Sequence, residues 1–332
     1  MIEKVAELRR RHALGIAADD RIIVKEYLDL WCEEKANTVK DRTLEIYERL
    51  SDHAVERIGK KRLDKVKPRD IQACIRDVAA SIGKPTANKV RRMLFGAFKQ
   101  AVKWEMAYRK PVEAVDPIRE DERPMRTWST EQAVAFLNGA AGHRLFPAVY
   151  LMMATGLRRG EVLGLDWRDL VDRRLHVQRT VGIVRKELTV STPKTSRGAR
   201  IVTVPEDALE ILATHKRRKD AEKAYAAQAW RPTDRMFTDE VGGQLTPMVL
   251  THAWNRMQEA AGVPHVRMHD LRHLHASLLV RKGLDPRTIA DRIGHAAPAF
   301  TLRRYSHMFE EQRAEAAVNL TQLLRSSDGP AN

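Results

Sequence analysis

Residues 269–277, HDLRHLHAS, place His269, His273, His275 and Arg272 in one short stretch. On a helix His269 and His273 share a face, a spacing that can hold zinc. The zinc-binding HExxH helix also carries a glutamate base beside its first histidine. Here that neighbour is Asp270, and Arg272 lies on the same turn. A fixed positive charge beside a divalent cation is unfavourable, so the metal reading is the weaker one and no metal is assigned. An anion suits the residues better. The Arg272 guanidinium is a planar fork of donors that matches two phosphate oxygens and keeps its charge. His269, one turn away, can donate or accept a proton. His273 and His275 are left to packing or support.

Alone, this stretch fits an ordinary surface equally well, and other stretches decide. TGLRRGE, 155–161, supplies Arg158 with Glu161 three residues later, where a carboxylate can prop the guanidinium. TPKTSRG, 192–198, puts Lys194 at a tight turn between strands, with Lys186 the alternative lysine. IGH places His295 just past a helix end, and TLRRYSH holds Tyr305, with His307 read as structural. A tyrosine hydroxyl titrates near pH 10, so it is a poor nucleophile unless cations and a base surround it.

The elements that must position these residues are mostly helical. Ile22–Trp31, TVKDRTLEIYERL and VKPRDIQACIRDVA read as helices, the last with Pro68 suited to a first turn. In ANKVRRMLFGAFKQAVKW, 87–104, Val90, Met93, Leu94, Ala97, Phe98 and Ala101 form one apolar face. Lys89, Arg92, Lys99 and Lys103 gather on a second stripe around Gly96. A stripe of one sign, with a glycine permitting close approach, suits a phosphate backbone; the plainer reading is a solvated face. Residues 111–127, rich in proline and charge, read as a linker. Ser129 and Gln132 then make a capping box that opens the next helix. LFPAVYLMMATGL, 145–157, reads as a buried helix, too short to span a bilayer. Residues 174–205 are rich in β-branched residues broken by turns, giving a small antiparallel sheet of about three strands. Helices return at Thr246-Pro247, closed by Gly262, and at Asp285-Pro286, closed by Gly294.

The expected fold is thus mostly α with a small antiparallel β-sheet (α+β). Residues 1–20 are a short N-terminal segment, 21–110 a helical domain, 128–325 a second domain and 326–332 a tail. The 332 residues allow two such cores. A formal net charge of +15 favours a polyanionic partner, most often nucleic acid. Cys32 and Cys74 have no CxxC partner, and the N-terminus has no apolar signal core. A cytoplasmic location is expected, with association to the nucleoid when bound to DNA.

The ordered set Arg158, Lys194, His269-x-x-Arg272, His295, Tyr305, with the texts ATGLRRGE, PKT, HDLRH, GH and YSH, resembles the signature of the tyrosine recombinases, the phage integrase family. Residues 21–110 also resemble the family's core-binding domain, and the likeness extends over 21–325. Leu274 stands where a small polar residue is frequent, and Ile293 where leucine is common. Many integrases carry a full arm-binding domain before the stretch that 1–20 occupies here, so arm-site binding is in doubt.

The resemblance implies a two-domain DNA clamp that recombines or integrates DNA through a 3′-phosphotyrosyl intermediate. It implies Tyr305 as nucleophile, Arg158 and Arg272 on the non-bridging oxygens, and His295 as an added donor. Lys194 becomes the general acid, His269 a base or donor near Tyr305, and Glu161 a support for Arg158. No cofactor, metal or nucleotide is needed. The implied partners are double-stranded DNA at attachment-type sites, further copies of the chain in a tetramer on DNA, and an accessory DNA-bending or directionality protein. EAAVNLTQLL, 315–324, could pack on a neighbouring subunit or at home. A non-catalytic DNA-binding regulator, a type IB topoisomerase and a zinc-dependent nuclease are the competing readings.

Overall fold

The computed structural model describes residues 22–120, 128–192 and 199–294, together with Ala299 and Tyr305. The chain divides into two compact units, Met1–Arg123 and Pro124–Asn332. Lys194, His295 and His307 lie outside the described residues, as do the N-terminal segment, 315–324 and the tail.

The first unit is built from α1 (Val24–Ala36), α2 (Asp41–Ile58), α3 (Pro68–Ser81) and α4 (Lys84–Lys103). Its core joins Tyr27, Leu28 and Trp31 of α1 to Leu44 and Leu50 of α2, Ile71 and Ile75 of α3, and Val90, Leu94 and Phe98 of α4. The Tyr27 hydroxyl, deep in this core, donates to the Ala97 carbonyl. Lys89, Arg92, Lys99 and Lys103 all lie exposed on α4. Gly96 adjoins Trp31 instead of opening that stripe, since a Cβ there would stand 3.8 Å from the indole.

The stretch expected to be a linker from residue 111 begins as part of this unit. Pro111, Val112 and Val115 are buried, and the Asn88 side chain bonds both the carbonyl (2.8 Å) and the amide (2.9 Å) of Ile118. The apolar residues between the prolines are too few to show a period, but they cover α3 and α4.

The second unit runs α5 (Thr130–Ala140), α6 (Phe146–Thr155), α7 (Arg159–Leu163), five short strands, α8 (Glu206–Ala226), α9 (Pro247–Ala260), α10 (Asp270–Arg281) and α11 (Pro286–Ile293). Ser129 accepts from the Gln132 amide at 3.3 Å and Gln132 returns the bond at 3.0 Å, closing the capping box of α5. α6 is apolar almost all round and is buried, with α8 and α10 packed against it.

The β region differs from the single sheet expected. β1 (Leu170–Val171), β2 (Arg174–Val177) and β5 (Arg200–Thr203) form one antiparallel sheet, in the order β1-β2-β5. β3 (Thr180–Val184) and β4 (Glu187–Ser191) form a separate hairpin. In β5 the side chains alternate: Ile201 is exposed and Val202 is buried against Leu175, its partner across the ladder. Arg200 shares the inward face with Val202, and that placement matters below.

Candidate active site

Two chain reversals, at Gly156 and Gly294, meet through Arg158. α6 stops at Gly156, whose φ of 69° is left-handed. A Cβ there would lie 2.8 Å from the His275 ring and 2.9 Å from Ile293, so both backbone and space require glycine. The reversal delivers Arg158 to the start of α7. Glu161 then answers it twice, accepting from the Arg158 amide at 2.9 Å and from its guanidinium at 2.7 Å. The other arm of Arg158 donates to the Gly294 carbonyl at 3.1 Å. Gly294 is itself left-handed and ends α11, directly before His295.

Glu161 is almost wholly buried and holds a second arginine. Arg200 reaches it from β5 with both terminal nitrogens, at 3.1 and 3.0 Å, and donates its Nε–H to the Arg292 carbonyl. Burial pushes the Glu161 carboxyl up, but the bonds and charge of Arg200, followed by those of Arg158, outweigh it. Its pKa settles below the usual carboxylate range. Arg158 keeps 40% of its side chain exposed while Arg200 keeps 7%. Arg158 therefore has a face free for a ligand, whereas Arg200 is a strut.

Arg272, on α10, is fully buried and donates one N–H to the Gly156 carbonyl at 2.8 Å. Its Nη2 has no partner among the described residues. Burial, then the nearby Arg158 cation, push its pKa down to about 9, so it remains charged at neutral pH. A buried cation with an unused donor is costly to leave unpaired, and an anionic oxygen would complete it.

The helix start is fixed by Asp270. It is buried and accepts from Arg267 through the amide (3.1 Å) and two guanidinium nitrogens (both 3.0 Å). His269, at the N-cap of α10, remains open to solvent. Partial burial, then the charges of Arg272 and Arg158, lower its pKa and favour the neutral ring.

The sequence places His269 near Tyr305 and gives His273 packing or support. The imidazole hydrogen-bonded to Tyr305 is that of His273, whose Nδ1 lies 2.7 Å from the hydroxyl. Tyr305 is wholly buried and packs with Ala276, Val280, Ile289 and Ile293. His275 is structural: Arg292 donates to its Nε2 at 3.2 Å, and burial, then Arg292, bring its pKa to about 3.

The structure thus brings together Arg158, Glu161, His269, Arg272 and Tyr305. Arg200, Arg292 and the role of His273 were missed. The signal for Arg200 lay in RIVTV, where strand alternation puts it on the same side as two core valines. Among the described residues no three His, Cys, Asp or Glu side chains are arranged to hold a metal ion.

Comparisons with known proteins bear on the family and the fold of the chain. The phage integrase family profile matches residues 126–312, and that of the phage integrase N-terminal SAM-like domain matches 23–78. A tyrosine recombinase XerC-like protein of Caldanaerobacter subterraneus is 30% identical over 62% of this chain and 56% of its own length. The chain thus spans little more than half of that relative. The integrase of Mycobacterium phage L5 is 28% identical over 94% of this chain and 82% of its own. Among solved structures, Tn1549 transposon integrase in complex with a circular intermediate DNA superposes with a TM-score of 0.76. The identity is 21%, covering 89% of this chain and 98% of that one. A lambda integrase tetramer bound to a Holliday junction gives a TM-score of 0.65 at 20% identity, covering 86% and 81%. The two structures share the fold; the profile, which spans more than half of the sequence and contains every residue gathered at this site, makes the chain a member of the phage integrase family.

Proposed function

We propose that the chain is a site-specific DNA recombinase that cleaves and rejoins strands through a 3′-phosphotyrosyl intermediate. The observation that carries this reading is Arg272: a buried guanidinium with an unused donor, beside the open face of Arg158 and near the Tyr305 hydroxyl. Two fixed cations can hold the non-bridging oxygens of one phosphodiester and stabilise the charge that builds as phosphorus becomes five-coordinate. Tyr305 forms the P–O bond, and the 5′-oxygen leaves with the electron pair of the bond that breaks. Lys194 is the proposed general acid for that oxygen. His269 and His295 supply further donors at the phosphate, and Glu161 holds Arg158 in place.

Attack by a 5′-hydroxyl from a second duplex reverses the step on a new partner. The phosphotyrosyl bond retains the energy of the diester, so nucleotide hydrolysis is not required. Double-stranded DNA is the substrate, with Lys89, Arg92, Lys99 and Lys103 of α4 on its backbone. Self-association into a tetramer on DNA follows from exchanging two strands of two duplexes. An accessory bending or directionality protein is a further proposed partner, and the cytoplasm with its nucleoid the proposed location. Among the described residues no helix is long and apolar enough to cross a membrane.

The test pairs wild type with Tyr305→Phe on host and phage-derived DNA in excess EDTA, quenched in detergent. Protein attached to a 3′ end by wild type alone is expected. Salt-sensitive binding with no attachment would leave a DNA-binding regulator instead. Attachment by both proteins would move the nucleophile elsewhere.

A further inference from the structure

Two imidazoles near the start of α10 could serve Tyr305, and the hydrogen bond chooses between them. His273 is buried with its Nδ1 2.7 Å from the hydroxyl. The His269 ring stands edge-on to His273 at 5.5 Å and remains open to solvent. Ala276, Val280, Ile289 and Ile293 supply apolar packing to the phenol. At that distance a neutral imidazole nitrogen can accept the hydroxyl's hydrogen bond and take its proton.

Building on the recombinase reading, we propose that His273 is the catalytic proton acceptor for Tyr305. The phenol proton passes to Nδ1 as Oη bonds to phosphorus. The P–O5′ bond breaks, and the departing oxygen takes a proton from the general acid. In the reverse step a 5′-hydroxyl attacks and returns its proton to the deprotonated general acid, the P–Oη bond breaks, and the imidazolium gives its proton back to the phenolate. Protons balance over the cycle and no redox partner is needed. His269 is then left to the phosphate. The titratable and charged groups that face His273 include His269 and Tyr305 in ring contact, with Arg272 adjacent on the chain.

The experiment uses the full chain and duplexes that the wild type captures covalently from a randomised pool. Single-turnover attachment is followed against pH for wild type, His273→Ala, His273→Asn and His269→Ala, with thermal melting as the folding control. Wild type is expected to speed up as pH rises through the imidazole range. His273→Ala is expected to be slower by roughly 10²–10⁴-fold, to lose that rise, and to recover in part with added imidazole. His273→Asn can keep a hydrogen bond but takes no proton, so it is expected to be slow as well, and it carries the test if the alanine variant fails to fold. Near-wild-type rates in either folded variant would overturn the proposal. So would slow attachment with the pH rise intact and no rescue, or loss of that rise in His269→Ala alone. If wild type itself attaches to nothing, the recombinase reading falls and takes this proposal with it.

Discussion

Glu161 is the residue on which the two halves of the site depend. One carboxylate, 4% exposed, neutralises Arg200 inside and orients Arg158 outside. Its depressed pKa makes it a stability group with a defined sign. A carboxyl held below its unfolded value contributes stability that is complete above the unfolded pKa, near 4.3. That contribution fades as pH falls through the lower folded value. Glu161→Gln removes the carboxylate charge that Arg200 meets at 3.0 Å, and breaking a buried pair this way costs about 3–5 kcal/mol. Urea unfolding across a pH series is expected to show that loss at neutral pH and a narrowing gap between variant and wild type under acid. A gap independent of pH would mean that the carboxylate is not charged in the folded protein.

At the scale of elements, local signals were legible and paired ones were not. Ser129 with Gln132, Thr246 with Pro247, and Asp285 with Pro286 mark helix starts because capping bonds reach only two or three residues. β2 and β5 were harder: they pair across an intervening hairpin, and nothing in 174–205 says which strands meet. Val112 and Val115 read as linker because their burial depends on α3 and α4, far away in sequence. The same limit explains the site. Arg158, His269, Arg272 and Tyr305 stand out by type and order, whereas Arg200 and His273 acquire their roles only when β5 and α10 are docked. Gly156 joins both kinds of information, being a helix stop by type and a packing requirement by position. Gly156→Ala would place a side chain at left-handed φ, at about 1–2 kcal/mol. It would also overpack His275 and Ile293, at about 1–3 kcal/mol. A loss of about 2–5 kcal/mol in thermal or urea unfolding is expected, with covalent attachment falling in the fraction that remains folded, because the same turn carries Arg158 and the carbonyl that holds Arg272. An unchanged melting profile would show that the turn tolerates a Cβ.

The whole molecule has a formal net charge of +15, and its cations stand in two different settings. Around Glu161 and Arg272 the cations are committed: Arg200 to Glu161, Arg292 to backbone carbonyls and His275, and Arg272 to Gly156 with its Nη2 left over. Lys89, Arg92, Lys99 and Lys103 line one exposed face of α4, and such a row would displace counterions from a duplex without reading its sequence. The two settings can be separated by salt. Replacing all four with glutamine is expected to weaken binding to random-sequence duplex and to flatten the plot of log K against log salt by about 3–4, at roughly 0.9 per lost phosphate contact. Arg272→Ala removes a single buried contact and should alter that slope by about 1 at most, while abolishing most attachment. If the fourfold variant keeps the wild-type slope, α4 does not face DNA, and the phosphate contacts of the first unit must come from another of its surfaces.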